Sequence, residues 1–166
     1  MRSIDERQIR GSFVNGSRGE VKRLRLPLHL HDLPWESMDF LGWVDPRAPL
    51  RCYLVVPMDG ETLVGMQLRR NVGGSGARRA RMCSLCLTTH PGTGVSLMVA
   101  PRAGRAGRVG NTVGIDICSE LQCSRYARDL LPPPAPLTAR ETLTIEERVA
   151  RLRRNLEAFV ARVDPR

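Results

Sequence analysis

The chain has 166 residues, enough for one domain and its core. Its formal net charge is +9, with Lys22 as the one lysine among many arginines, and aromatic residues make up only 4%. Few large rings bury little apolar area, so a metal would help such a core. No stretch approaches the ~18 apolar residues of a membrane span, and the start Met1-Arg2-Ser3-Ile4-Asp5-Glu6 has no apolar leader. Five cysteines, grouped as two close pairs plus Cys52, fit a reduced cytoplasmic setting with a metal better than a secreted disulfide framework.

In chain order, residues 3–15 predict an opening helix. Ser3 and Glu6 have capping-box spacing, and Ile4, Ile9 and Phe13 supply a partial apolar face. Ser17 and Glu20 repeat the capping pattern before Val21 and Leu24, and Pro27 ends that run. His29 and His31, between Pro27 and Pro34, read as surface loop residues. Residues 38–70 predict strands in a meander, with a hairpin turn at Asp59-Gly60. Residues 71–80 form a glycine-rich loop with a basic end at Arg78 and Arg79, followed by Arg81.

Strands are expected over 95–99 and 112–117. The loop between them carries Arg102, Arg105 and Arg108, which read either as a docking face for phosphate or an acidic protein surface or as a solvated charged loop. Residues 132–136 are a stiff proline-rich linker. It leads to the most regular helix, 145–163, where Ile145, Val149, Leu152, Leu156, Phe159, Val160 and Val163 share one face. Thr144 and Glu147 form its capping box.

Cys83-Ser84-Leu85-Cys86 and Cys118-Ser119-Glu120-Leu121-Gln122-Cys123 are two close pairs. Zinc takes four soft ligands in a tetrahedron, and two such pairs meeting in space supply them. Ser119 and Gln122 match a capping box, which predicts Ser119 as a helix N-cap and Cys123 in the fourth helical position, with Cys118 and Cys123 meeting as a staple does. The order knuckle, strand, loop, strand, helix is that of a treble-clef zinc finger. The expected fold class is α+β: antiparallel strands with a treble-clef zinc finger and a long C-terminal amphipathic helix packed back on the sheet.

His90 follows Cys86 by four residues and could replace a cysteine; with four cysteines present it reads as a loop residue before Pro91. Cys52 lies in an apolar run and reads as a buried thiol. A complete Cys₄ set leaves no open position for a substrate, which argues against metal catalysis. Asp5, Asp32, Asp39, Glu61 and Asp116 are scattered without an acid/base pair, and Gly104, Gly107 and Gly110 form no phosphate-binding fingerprint. The expectation is a non-enzyme without a small-molecule substrate and without membrane association. Its net charge suits an acidic partner or nucleic acid, ribosomal RNA included, contacted through the arginine-rich loops.

Met82-Cys83-Ser84-Leu85-Cys86, the run over 95–100, Gly110-Asn111 and Ile117-Cys118 with Cys123 resemble the C-terminal treble-clef zinc finger of elongation factor G-binding proteins, the family that includes the fusidic-acid-resistance proteins. Asp39-Phe40-Leu41-Gly42-Trp43 and the hairpin after it are similar to that family too, so the resemblance covers about 9–163. It implies one domain over 1–166 with Cys83, Cys86, Cys118 and Cys123 as ligands of one structural Zn²⁺. It also implies a partner, elongation factor G, bound on or off the ribosome near Gly110 and Asn111.

Overall fold

The computed structural model describes residues 1–59, 62–71, 80–134 and 141–165. Five strands form one antiparallel sheet: β1 (Leu41–Asp45), β2 (Ala48–Pro57), β3 (Leu63–Asn71), β6 (Val95–Pro101) and β7 (Thr112–Cys118), in that spatial order. Between β3 and β6 the chain leaves the sheet to make a two-stranded hairpin, β4 (Arg81–Met82) and β5 (Thr89–His90). The predicted meander is therefore present. Its turn at Asp59-Gly60 reaches outside the described residues, as do Arg78, Arg79, Glu61 and the second part of the proline-rich linker.

Period-two alternation gives the sheet two apolar faces. Cys52, Leu54, Val56, Met66, Leu68, Met98, Ala100, Ile115 and Ile117 build the larger core together with the four paired cysteines and the last helix, α5 (Ile145–Val163). The other face carries Leu41, Trp43, Tyr53 and Val55, covered by Ile4, Ile9, Leu24 and Trp35 from the N-terminal segment. Phe13 stands edge-on to Trp43 and Tyr53 at 6.5 and 6.1 Å. Gly65 permits that cover, because a β-carbon there would lie 2.4 Å from Ser12 Oγ.

The first helix, α1 (Glu6–Gly11), differs in its cap from the expectation. Asp5 and Gln8 form the reciprocal box, not Ser3 and Glu6. Ile4 is buried, so the cap falls two residues later than Ser3, with the short acidic side chain of Asp5 at the N-cap. The helix stops at Gly11, and Phe13 pairs with the sheet instead of continuing the helix. Ser17 and Glu20 cap α2 (Arg18–Lys22) as the spacing required.

Helix α5 has the predicted bounds and the Thr144–Glu147 box. Ile145 is 40% exposed, unlike the face it was assigned to; the inward stripe starts at the half-buried Val149. Asp39 locks the layers. Its buried carboxylate is paired with Arg128, just after α4 (Cys123–Ala127), and with Arg153 Nε of α5 at 3.0 Å, and its backbone N–H donates to Ser124 Oγ at 2.9 Å. Burial raises the Asp39 carboxyl, but the hydrogen bonds and charges of Arg128 and Arg153 outweigh it and hold the group below the ordinary carboxylate range.

Candidate metal centre

The first pair of cysteines sits at the tip of the β4–β5 hairpin. Cys83 N–H donates to Thr88 O and Leu87 N–H returns to Cys83 O, closing the knuckle, with Leu87 at φ 60°. Leu85 N–H lies 3.4 Å from Cys83 Sγ. Ser84 N–H donates to Asp116 O at 2.7 Å, and Arg81 pairs with the Asp116 carboxylate, so the knuckle is moored to strand β7. From the other side α5 reaches over: Asn155 Nδ2 donates to Leu85 O at 2.9 Å, and Arg151 Nη2 lies 3.5 Å from Cys86 O.

The second pair spans a strand-to-helix turn. Cys118 ends β7 and Cys123 opens α4. This corrects the expected cap at Ser119: the N-cap is Gln122, without a side-chain cap. Ser119 is instead drawn to the β5–β6 connection, donating its hydroxyl to Thr93 O at 2.5 Å and meeting Ser96 Oγ at 2.7 Å. Arg70 from β3 donates to Ser119 O. The reversal from strand to helix is made by Leu121 at φ 56°, buried against Gly42, where a β-carbon would come within 3.0 Å. The staple geometry inferred from spacing is thus replaced by a left-handed turn, which costs a branched residue strain and is offset by burying it.

These two turns bring Cys83, Cys86, Cys118 and Cys123 together, all buried, with sulfurs within 4.8 Å of one another. Cys83 and Cys123 are 3.6 Å apart, as are Cys86 and Cys118. A tetrahedron with Zn–S bonds of about 2.3 Å has S–S edges of about 3.8 Å. A disulfide needs about 2.05 Å, and all five cysteines are free thiols. The donor set, its spacing and its seclusion therefore fit one zinc ion.

The electrostatics agree. With protons alone to share, hydrogen bonds from Cys118 and Cys123 pull Cys86 down, while hydrogen bonding to Cys118, Cys83 and Cys86 pushes Cys123 well up. Four adjoining sulfurs cannot all ionise unaided; a divalent cation among them stabilises all four thiolates. Cys52 stays outside the group. It is fully buried, and burial raises its thiol against the opposing pull of Arg70.

His90 departs from the loop position expected of it. It is the last residue of β5, 4% exposed, with Nε2 3.2 Å from Cys118 Sγ and its ring edge-on to Tyr126 at 5.0 Å. Its place four residues after Cys86 was a visible signal, but the spacing suggested only a substitute for one of the cysteines. The moorings through Arg70, Arg151 and Asn155 come from one distant strand and one distant helix and left no local trace.

The arginine loop forms a short helical turn, α3 (Gly104–Arg108), between β6 and β7. Arg105, Arg108, Gly110 and Asn111 are exposed, and Val109 is 69% exposed. Arg102 is half-buried; its N–H donates to Asn111 O, and Ala103 N–H donates to Val163 O at the end of α5. Gly107 packs so closely on Arg102 that a β-carbon would overlap its carbonyl. The acids show no catalytic grouping among the described residues: Asp5 caps α1, Asp39 and Asp116 are paired with arginines, and Asp32 lies by the exposed His29. No helix among the described residues is long and apolar enough to cross a membrane.

A knuckle on a β-hairpin, facing a strand–helix turn across four buried cysteines, defines a treble-clef zinc finger, built here onto the edge of a five-stranded sheet. The chain belongs to the FBP C-terminal treble-clef zinc-finger family, whose model matches residues 8–163. In fold it is similar to the fusidic acid resistance protein FusC, with a TM-score of 0.55 at 16% identity, covering 87% of this chain and 54% of that one. The chain thus spans about half the length of that relative. No curated protein sequence matches it.

Proposed function

We propose that the chain acts as one non-enzymatic domain over residues 1–166 that binds translation elongation factor G in the cytoplasm, free or on the ribosome. The match to a treble-clef zinc-finger family along 8–163 carries this reading. The motif resemblance supplies the partner, and the likeness to a fusidic acid resistance protein accords with it at the level of fold. A saturated sulfur site supports structural use of the metal, since zinc catalysis keeps one position for water or substrate.

The partner face we assign is the turn between β6 and β7, with Arg102, Arg105, Arg108, Gly110 and Asn111. Its support is physical: backbone bonds from Arg102 to Asn111 and from Ala103 to Val163 brace it, while exposed Arg105, Arg108 and Val109 combine charge with apolar area. A second reading, nucleic-acid or ribosomal-RNA binding through the same arginines, is favoured by the exposure of Arg105 and Arg108 on this turn.

Calorimetric titration of the zinc-loaded chain with purified elongation factor G, repeated with structured RNA as competitor, tests both. Saturable binding that survives RNA is the expected result. Replacing Arg102, Arg105 and Arg108 together with alanine should weaken that binding; unchanged affinity would remove this face from the interface. RNA binding that falls steeply with salt, without factor binding, would establish the second reading instead.

A further inference from the structure

His90 lies outside the group of mutually close sulfurs, yet touches one of them. Its Nε2 is 3.2 Å from Cys118 Sγ. Three features hold the ring there. Strand pairing places His90 opposite Arg81 on β4. Tyr126 of α4 packs against the ring at 88°. Gly94 clears the space, since a β-carbon there would stand 2.6 Å from His90 Cβ and 2.9 Å from Nδ1. Gly94 O in turn accepts from Ser119 N–H at 2.9 Å, so the ring and the residue after Cys118 are positioned by the same glycine.

We infer that His90 is a positioning residue of the metal centre, donating its Nε2–H to the Cys118 thiolate and so strengthening retention of zinc. This rests on the four cysteines being the zinc ligands. A zinc-bound sulfur has lost its proton and presents only lone pairs. A nitrogen lone pair at 3.2 Å would repel them, whereas an N–H attracts them. Metal loading therefore requires a proton on Nε2, the nitrogen that faces the sulfur. Four thiolates around one divalent ion also leave two negative charges in a buried site, and donors to sulfur spread that charge. Leu85 N–H serves Cys83 in this way; His90 serves Cys118. A histidine near a cysteine quartet is usually read as a spare ligand, but here the ring addresses the ligand and not the metal.

The test uses the full chain loaded with zinc or cobalt(II). His90→Phe keeps a flat ring against Tyr126 and removes the donor; His90→Gln restores an N–H. Loss of an outer-shell partner costs about 10–100-fold in metal affinity. Chelator competition should show a loss of that size in H90F and recovery in H90Q. The sulfur-to-cobalt charge-transfer band should move to lower energy in H90F, because an unbonded thiolate gives up its electrons more easily, and return in H90Q. Wild-type affinity and an unmoved band in H90F would overturn the inference. Should H90F fail to fold, long-range ¹H–¹⁵N correlation spectra of the zinc-loaded wild type decide it: a proton on Nε2 is expected, and a proton on Nδ1 alone overturns it. Metal analysis of the wild type separates the two ideas, because less than one zinc per chain would refute the metal centre itself and not the role of His90.

Discussion

Replacing Asp39 with asparagine probes the joint that holds both helices to the sheet. The side chain keeps its size but loses its charge, leaving Arg128 with a side chain only 16% exposed and no counter-ion. Breaking a buried ion pair from one side costs about 3–5 kcal/mol. The Arg153 side chain is 55% exposed, so solvent screening reduces its share to about 0–1 kcal/mol. For a domain of this size about 1 kcal/mol moves the melting temperature by roughly 2–4 °C. Asp39→Asn should therefore lower it by roughly 6–20 °C, while Arg153→Ala should lower it by no more than roughly 4 °C.

The assay is thermal unfolding of the zinc-loaded protein followed by circular dichroism. The pH dependence has a fixed sign. The folded-state value of Asp39 is depressed, so its stabilisation is complete above the unfolded-chain value of about 3.9 and is lost as pH falls through the folded value. The deficit of the variant should accordingly be constant between about pH 6 and 8. A drop of less than roughly 2 °C, or equal effects of the two substitutions, would refute the argument that the buried carboxylate carries the joint.

Two further outcomes bear on the metal. Cys118→Ser should bind zinc far more weakly and lose much of its cooperative unfolding, because structural zinc contributes roughly 10 kcal/mol or more to small fingers; a metal-free variant with the native melting curve would defeat the structural role. Cys52→Ala should retain one zinc per chain while losing about 1–2 kcal/mol of packing from its fully buried site, read by metal analysis and denaturant unfolding; loss of the metal would show that the ligands had been misassigned.

Legibility followed the range of the forces involved. Local signals survived folding where one element held both partners: the boxes at Ser17 and Thr144 and the stripe from Val149 to Val163 are contacts between residues a turn or two apart. The cysteine spacing worked for a similar reason, since each pair sits within one short turn and zinc chemistry restricts what four such sulfurs can do. The composition also pointed to a chain in need of a staple.

Tertiary packing decided the rest. Burial of Ile4 shifted the first cap from Ser3 to Asp5. The seat made for Leu121 beside Gly42 allowed a left-handed turn where the sequence pattern implied a helix start, and so set how Cys118 meets Cys123. His90 is a partner of Cys118 only because β5 and the Gly94 turn bring it there. Pairwise spacing describes neighbours along the chain, but side chains such as Asp39, Arg70 and Asn155 find partners that only the closed fold supplies. What the sequence determined by itself was the metal and the periodic elements; which residues surround the metal was left to the desolvation and close packing of a completed core.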